Sequence, residues 1–272
     1  NYMFIYGKLG APALGVKGAA LGTLLARIIM LVLMVVLLIN QKRLWNYITA
    51  CNFKKYQRSM FQNLLKLGIP TSMQMFFEVT AFAGASILCG MISKEAQAAH
   101  QISINLASIT FLVATGLAVT ATIRVGNQLG KQDFPALQSA GISALIQVTG
   151  FMIIGALVFI LFRHQLPAIY KADNVVFPIA SGLLLYAAIF QISDGIQVVS
   201  IGALRGMQDV FVPTIITFVA YWLIGFPMSY FLMKPFGPNG VWIGLVAGLS
   251  VSALLNGWRF WRLSQQKISM RV

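Results

Sequence analysis

Long apolar runs, separated by short polar and basic connections, dominate the chain, and their length rather than any alternation carries the structural signal. With Gly, Pro and charge as punctuation, seven runs stand out, at about 16–40, 68–93, 98–125, 137–162, 176–204, 212–233 and 241–261. About 20 residues at 1.5 Å each cross the roughly 30 Å hydrocarbon layer of a bilayer, so each run is long enough to span. The pattern predicts an all-α integral membrane protein with seven transmembrane helices. Pro70, Pro178 and Pro213 fall near the starts of their runs, where a missing N–H costs little, whereas Pro227 falls inside one and predicts a kink.

Composition agrees with the pattern. The 272 residues are 58% hydrophobic and only 10% charged, with a mean hydropathy of +0.79, which excludes an ordinary soluble domain. The net charge of +14 raises nucleic acid as a partner, but the Lys and Arg residues sit in connections and form no sustained basic stripe, so none is expected. Thirteen of them fall on one side of the seven runs. Six (Lys8, Lys17, Lys94, Arg163, Lys171 and Lys234) fall on the other, and Arg27 lies within a run. That asymmetry predicts a multi-pass protein with a cytoplasmic C-terminus. The longest connection, 41–66, interleaves basic residues with Trp45, Tyr47, Phe53 and Tyr56, and is expected to be a cytoplasmic linker lying on membrane lipid. Cys51 and Cys89 have no disulfide or metal-ligand spacing. His100 and His164 are isolated near run ends and read as interface residues. No nucleophile, P-loop or zinc motif is present, so no catalytic residue and no cofactor is expected.

A repeat is visible. Gly15-Val-Lys-Gly18-Ala-Ala-Leu-Gly22 opens the first run and Gly237-Pro-Asn-Gly240-Val-Trp-Ile-Gly244 opens the last, six runs later and therefore in the same direction through the membrane. Parallel repeats of this kind build transporters, although small residues at such spacing also simply pack helices. With a six-helix repeat unit, residues 67–272 form one complete lobe and 1–40 end the lobe before it. The opening residues read as a loop entering a helix already under way, so five further helices are expected upstream.

The acidic residues carry the candidate chemistry. Only six occur, and Glu78 and Asp194 lie in the middle of apolar runs, where an ionisable group usually faces a cavity or an ion path. Thr71, Gln74 and Glu78 share a helical face, and Asp194 is flanked three residues away by Gln191 and Gln197. Gln97, Gln101, Asn105 and Ser108 form another stripe, so three helices are expected to line one cavity, with Phe76, Phe77 and Phe190 available to a bulky ligand. Two carboxylates among amide and hydroxyl oxygens suit a proton, Na⁺ or an organic cation. The alternative is that both acids are paired or neutral and only hold helices together.

Several motifs together resemble the multidrug and toxic compound extrusion family, in its NorM-like bacterial branch. They are Asn1-Tyr-Met-Phe-Ile-Tyr-Gly7 with the Gly15 repeat, Gly68-Ile-Pro-Thr with Gln74 and Glu78, Arg124-Val-Gly-Asn-Gln-Leu-Gly130 with Asp133, and Asp194-Gly-Ile-Gln197 with Gly202-Ala-Leu-Arg-Gly206 and Asp209. The resemblance covers essentially the whole chain and implies the sixth to twelfth helices of a twelve-helix, two-lobe transporter of the bacterial inner membrane. It implies antiport of cationic, often aromatic drugs against Na⁺ or H⁺, with Glu78 and Asp194 matching a second-lobe cation site. Phe190 stands where some members carry Tyr. The expected partners are membrane lipids, cationic drugs and the first lobe. The alternatives are a non-transporting membrane fragment or scaffold, or a lipid-linked substrate flippase, which would line its cavity with cations.

Overall fold

The computed structural model describes residues 2–7, 10, 12–41, 57–170 and 173–269. The middle of the expected linker, with Trp45, Tyr47, Cys51, Phe53 and Tyr56, lies outside the described residues, as do Lys8, Lys171 and Arg271. The helices are α1 (Tyr2–Tyr6), α2 (Gly15–Asn40), α3 (Arg58–Ile92), α4 (Lys94–Lys131), α5 (Phe134–Leu161), α6 (Val176–Gly206), α7 (Phe211–Phe236) and α8 (Pro238–Ser269), with a short 3₁₀ turn at Pro167–Tyr170. Seven of them, α2 to α8, are long and apolar enough to cross a membrane, which bears out the seven-helix, all-α expectation. They outrun the apolar stretches because helices continue past the hydrocarbon into polar turns. Helix α3 already begins at Arg58, inside the stretch expected to be linker.

The chain divides into two compact units, Asn1–Ser59 and Met60–Val272. In the first, the Leu14 N–H donates to the Phe4 carbonyl (2.9 Å), tying α1 to the start of α2. Nearly all of α2 is exposed and apolar, a surface that hydrocarbon would solvate, and only Gly18 is buried. The repeated glycines have one local use at both sites. Gly15 (φ 53°) and Gly237 (φ 57°) enter their helices through left-handed backbone, and Gly18 and Gly240 lie against the backbones of Phe4 and Leu232, leaving no room for a side chain.

In the second unit α6 runs through the middle, packed on α4, α5 and α8, with α8 also covering α7. Fully buried Trp242, Tyr221, Leu183, Leu184 and Leu249 centre the main core, and an alanine-rich seam of Ala114, Ala118, Ala121 and Ala144 lets α4, α5 and α6 approach closely. Helix α3 reaches α7 largely through side chains: Gln74 Nε2 donates to Thr217 Oγ1 (3.2 Å), Trp222 Nε1 to the Phe77 carbonyl (3.3 Å) and Thr214 Oγ1 to the Pro70 carbonyl (2.8 Å). Ser93 stops α3 from running into α4, its Oγ accepting from the Ala96 N–H at 3.0 Å. Ser93→Ala is expected to destabilise the purified protein by about 1 kcal/mol, seen as a slightly lower detergent melting temperature.

One proline corrects the sequence expectation, and the backbone ahead of a second takes a specific form. Pro70 is twelve residues into α3 rather than at its start. The turn around it is braced by the Thr71 hydroxyl, which donates to the Leu67 carbonyl (2.8 Å), and by the Thr214 contact. Ahead of Pro227, α7 widens into a π-helical segment over Val219–Gly225, and the Phe226 N–H bonds five residues back to the Tyr221 carbonyl. The wide turn removes the i−4 partner that a proline would disrupt, so the helix is re-registered there. His100 also differs from expectation. It is fully buried, edge-on to Trp242 with centroids 5.6 Å apart.

Candidate functional site

Each acid is presented by an apolar helix that has no other carboxylate nearby in sequence: Glu78 by α3 and Asp194 by α6. Both open onto one cavity of about 300 Å³. Met75, Val79 and Phe82 of α3, Ile104, Ala107, Ser108 and Phe111 of α4, and Phe190 of α6 complete its wall. Phe190 is held by Phe82 (centroids 5.8 Å) and Trp242 (5.5 Å), so the aromatic wall is fixed from behind. Asp194 is 4% exposed and its Oδ1 has no partner. Neither Asp194 nor Glu78 accepts a hydrogen bond or forms an ion pair within 4 Å among the described residues. That ion pair is instead Arg259 with Asp209, at 2.6 Å, outside the cavity.

The other expected site residues divide. Phe190 lines the cavity, and of the α4 stripe Ser108 does, with its hydroxyl donating to the Ile104 carbonyl at 2.7 Å and its lone pairs free. Gln101 and Asn105 are exposed on α4, joined at 3.5 Å, and lie outside the cavity wall. Thr71 and Gln74 brace α3 and its contact with α7. Gln191 Oε1 accepts from Thr110 Oγ1 (3.0 Å) and Gln197 Oε1 from the Tyr221 hydroxyl (3.2 Å), so both amides tie α6 to its neighbours. The single cavity lined by three polar stripes therefore reduces to Glu78, Asp194 and Ser108.

Two electrostatic neighbours of the acids escape the sequence reading. The Arg205 guanidinium, from the last turn of α6, acts electrostatically on Glu78. The buried Tyr221 hydroxyl feels both carboxylates, from α7 rather than from the Phe190 position. Neither lies in a polar stripe. Among the described residues no group of three or more His, Cys, Asp or Glu is arranged to hold a metal ion.

A bundle of candidate spanning helices around a pocket walled by two unpartnered acids and aromatic rings defines a multi-pass, all-α membrane protein. Residues 70–231 match the MatE family, and the chain belongs to that family. It is similar to the multidrug resistance protein NorM of Vibrio cholerae serotype O1, 37% identical over 279 residues, covering 100% of this chain and 61% of that protein. It is also similar to the multidrug resistance protein MdtK of Proteus mirabilis, 35% identical over 272 residues, covering 98% and 60%. The chain thus spans about three fifths of the length of these curated relatives, 61% and 60%. Its fold matches the crystal structure of the eukaryotic MATE transporter AtDTX14 with a TM-score of 0.82 at 17% identity, covering 100% of this chain and 61% of that one. An outward-facing multidrug resistance MATE transporter of the MOP superfamily gives 0.82 at 18% identity, covering 98% and 59%.

Proposed function

We propose that the full-length protein is a multidrug efflux antiporter of the bacterial inner membrane, exporting cationic, often aromatic compounds in exchange for Na⁺ or H⁺. Glu78 and Asp194 hold the coupling ion. Residues 67–272 supply the second six-helix lobe, 1–40 the last helix of the first, and the C-terminus is cytoplasmic. The supporting observation is that two carboxylates on separate helices share one cavity and no described group satisfies them.

Two acids so placed repel each other, and low dielectric raises the cost of their charge. A bound Na⁺, a proton or an organic cation relieves that cost, and only one occupant is needed at a time. Release of one on arrival of another is exchange. Na⁺ would draw on carboxylate and Ser108 oxygens, and a planar aromatic cation would also stack on Phe82, Phe111 or Phe190. The cavity wall carries no Lys or Arg, which favours a cationic ligand over a phosphate-bearing one. Alternating access needs both lobes, so transport belongs to the full-length protein.

In a titration of dye affinity with Na⁺ at several pH values, added Na⁺ or added acid is expected to weaken binding of a cationic dye to the full-length protein. Affinity indifferent to both would overturn the proposal. Arg205→Gln removes a positive charge acting on the same acid and is expected to tighten Na⁺ binding about fivefold, read by the same titration.

A further inference from the structure

A second groove lies on another face of the Met60–Val272 unit, between α4 and α5, with a volume of about 350 Å³. Its floor is Ala121, Ala136, Ala140 and Ala144, and its walls are Thr120, Arg124 and Gln128 of α4 with Ser139, Ser143 and Gln147 of α5. Elsewhere on α4 the hydroxyls are spent on the helix itself: Ser103, Ser108, Thr115 and Thr122 each donate to the carbonyl four residues back. In the groove only Thr120 does so, at 3.0 Å. The side chains of Arg124, Gln128, Ser139, Ser143 and Gln147 have no hydrogen-bond or ion-pair partner among the described residues.

Depth makes these spare groups unusual. The α4–α5 turn, closed by Asp133 capping the Ala136 N–H, lies beyond the apolar runs of both helices. The apolar runs end at about 125 in α4 and begin at about 137 in α5, so at 1.5 Å per residue Arg124 and Ser139 stand at the edge of the hydrocarbon, with Ser143 about 9 Å in and Gln147 about 15 Å in. Snorkelling to the surface accounts for a lone arginine, but it does not account for two serines and a glutamine stepping inward beside it. Hydrocarbon leaves such groups unsatisfied, at a cost that a ligand rich in acceptor oxygens removes. Every free group in the groove except the amide oxygens can donate, and Arg124 supplies the charge, so the complement is an anionic headgroup with ester oxygens below it.

We propose that the α4–α5 groove binds an anionic phospholipid, its phosphate on Arg124, Gln128 and Ser139 and its glycerol esters along Ser143 and Gln147. The orientation expected from the Lys and Arg distribution puts this headgroup in the cytoplasmic leaflet. The proposal does not depend on which ion drives transport.

Native mass spectrometry of the full-length protein, released from detergent with phosphatidylglycerol or phosphatidylethanolamine, tests it. The wild type is expected to retain phosphatidylglycerol in preference to phosphatidylethanolamine. Arg124→Gln should cut that retention about fivefold, and Arg124→Lys should keep most of it. Ser143→Trp, which fills the groove without touching the charge, should abolish the preference; if Arg124→Gln fails to fold, this variant carries the test. The proposal is overturned if the wild type shows no preference, as it would if another segment of the protein covers the groove. Unchanged retention in both Arg124→Gln and Ser143→Trp also overturns it. So does displacement of the lipid by inorganic phosphate that then binds alone, since the site would then be one for free phosphate.

Discussion

Asp194→Asn in the full-length protein is expected to lower cation-driven dye efflux from inverted or reconstituted vesicles by roughly a hundredfold, while leaving the protein folded and no less stable. The two halves of that result follow from the same geometry. Asp194 is 4% exposed, and no described residue donates to it or pairs with it. An acid kept in such a place contributes nothing to holding helices together, and an isosteric amide loses only a charge that the protein itself does not use. A bound cation would lose its deepest ligand. Removing one partner of a buried charge arrangement costs about 3–5 kcal/mol, and about 3 kcal/mol is roughly a hundredfold in affinity. The alternative, in which Asp194 staples helices, predicts the reverse: a lower melting temperature with coupled transport intact. Glu78→Gln should fail in transport too, but less completely. Glu78 is half-buried, more exposed than Asp194, and already balanced in part by Arg205. Coupled transport at wild-type rates in both variants would dismiss the cavity as the exchange site.

The pair of acids was legible in the sequence because hydrocarbon makes a buried carboxylate conspicuous: two acids stood in runs that otherwise exclude charge. The seven helices were legible for the same reason. The companions of the acids were not. Helical spacing reports which residues share a face, but a face can meet a neighbouring helix as readily as a cavity. Gln74, Gln191 and Gln197 share the expected faces and are used for bonds to Thr217, Thr110 and Tyr221. Arg205 was invisible for a different reason. It sits eleven residues beyond Asp194 at the end of α6, and spacing along one helix does not report a charge that acts on Glu78 of another. The π-helical segment before Pro227 was read as a kink because a proline announces a disrupted ladder without saying how the ladder is repaired. The α4–α5 groove is spread over two runs in the sequence, as a motif arginine and scattered serines, and only the pairing of α4 with α5 assembles it.

Gly202→Val is expected to lower the detergent melting temperature of the full-length protein by roughly 5–10 °C and to weaken dye binding with it. Helices α4 and α6 approach so closely at this point that an added Cβ at Gly202 would fall on the Ala118 carbonyl oxygen, and one at Gly206 on that of Thr122. The approach is used: Thr122 Oγ1 donates to the Gly202 carbonyl at 2.7 Å, and buried Ala114, Ala118 and Ala121 keep the α4 side equally thin. A valine there forces overpacking of about 1–3 kcal/mol and breaks a bond of about 1 kcal/mol. Because both contacting atoms are backbone, no rotamer change can relieve the clash, and the helices must separate. Separation reaches the candidate site directly, since α6 carries Asp194 two turns away and α4 carries Ser108 on the opposite wall. Stability and ligand affinity should therefore fall together, unlike the Asp194→Asn result, where function falls alone. Gly182→Ala is the control. It lies on the same helix with nothing within 4 Å of an added Cβ, so neither property should change. If Gly202→Val melts and binds like the wild type, α4 and α6 are not held at this distance, and the cavity between them is not set by this seam.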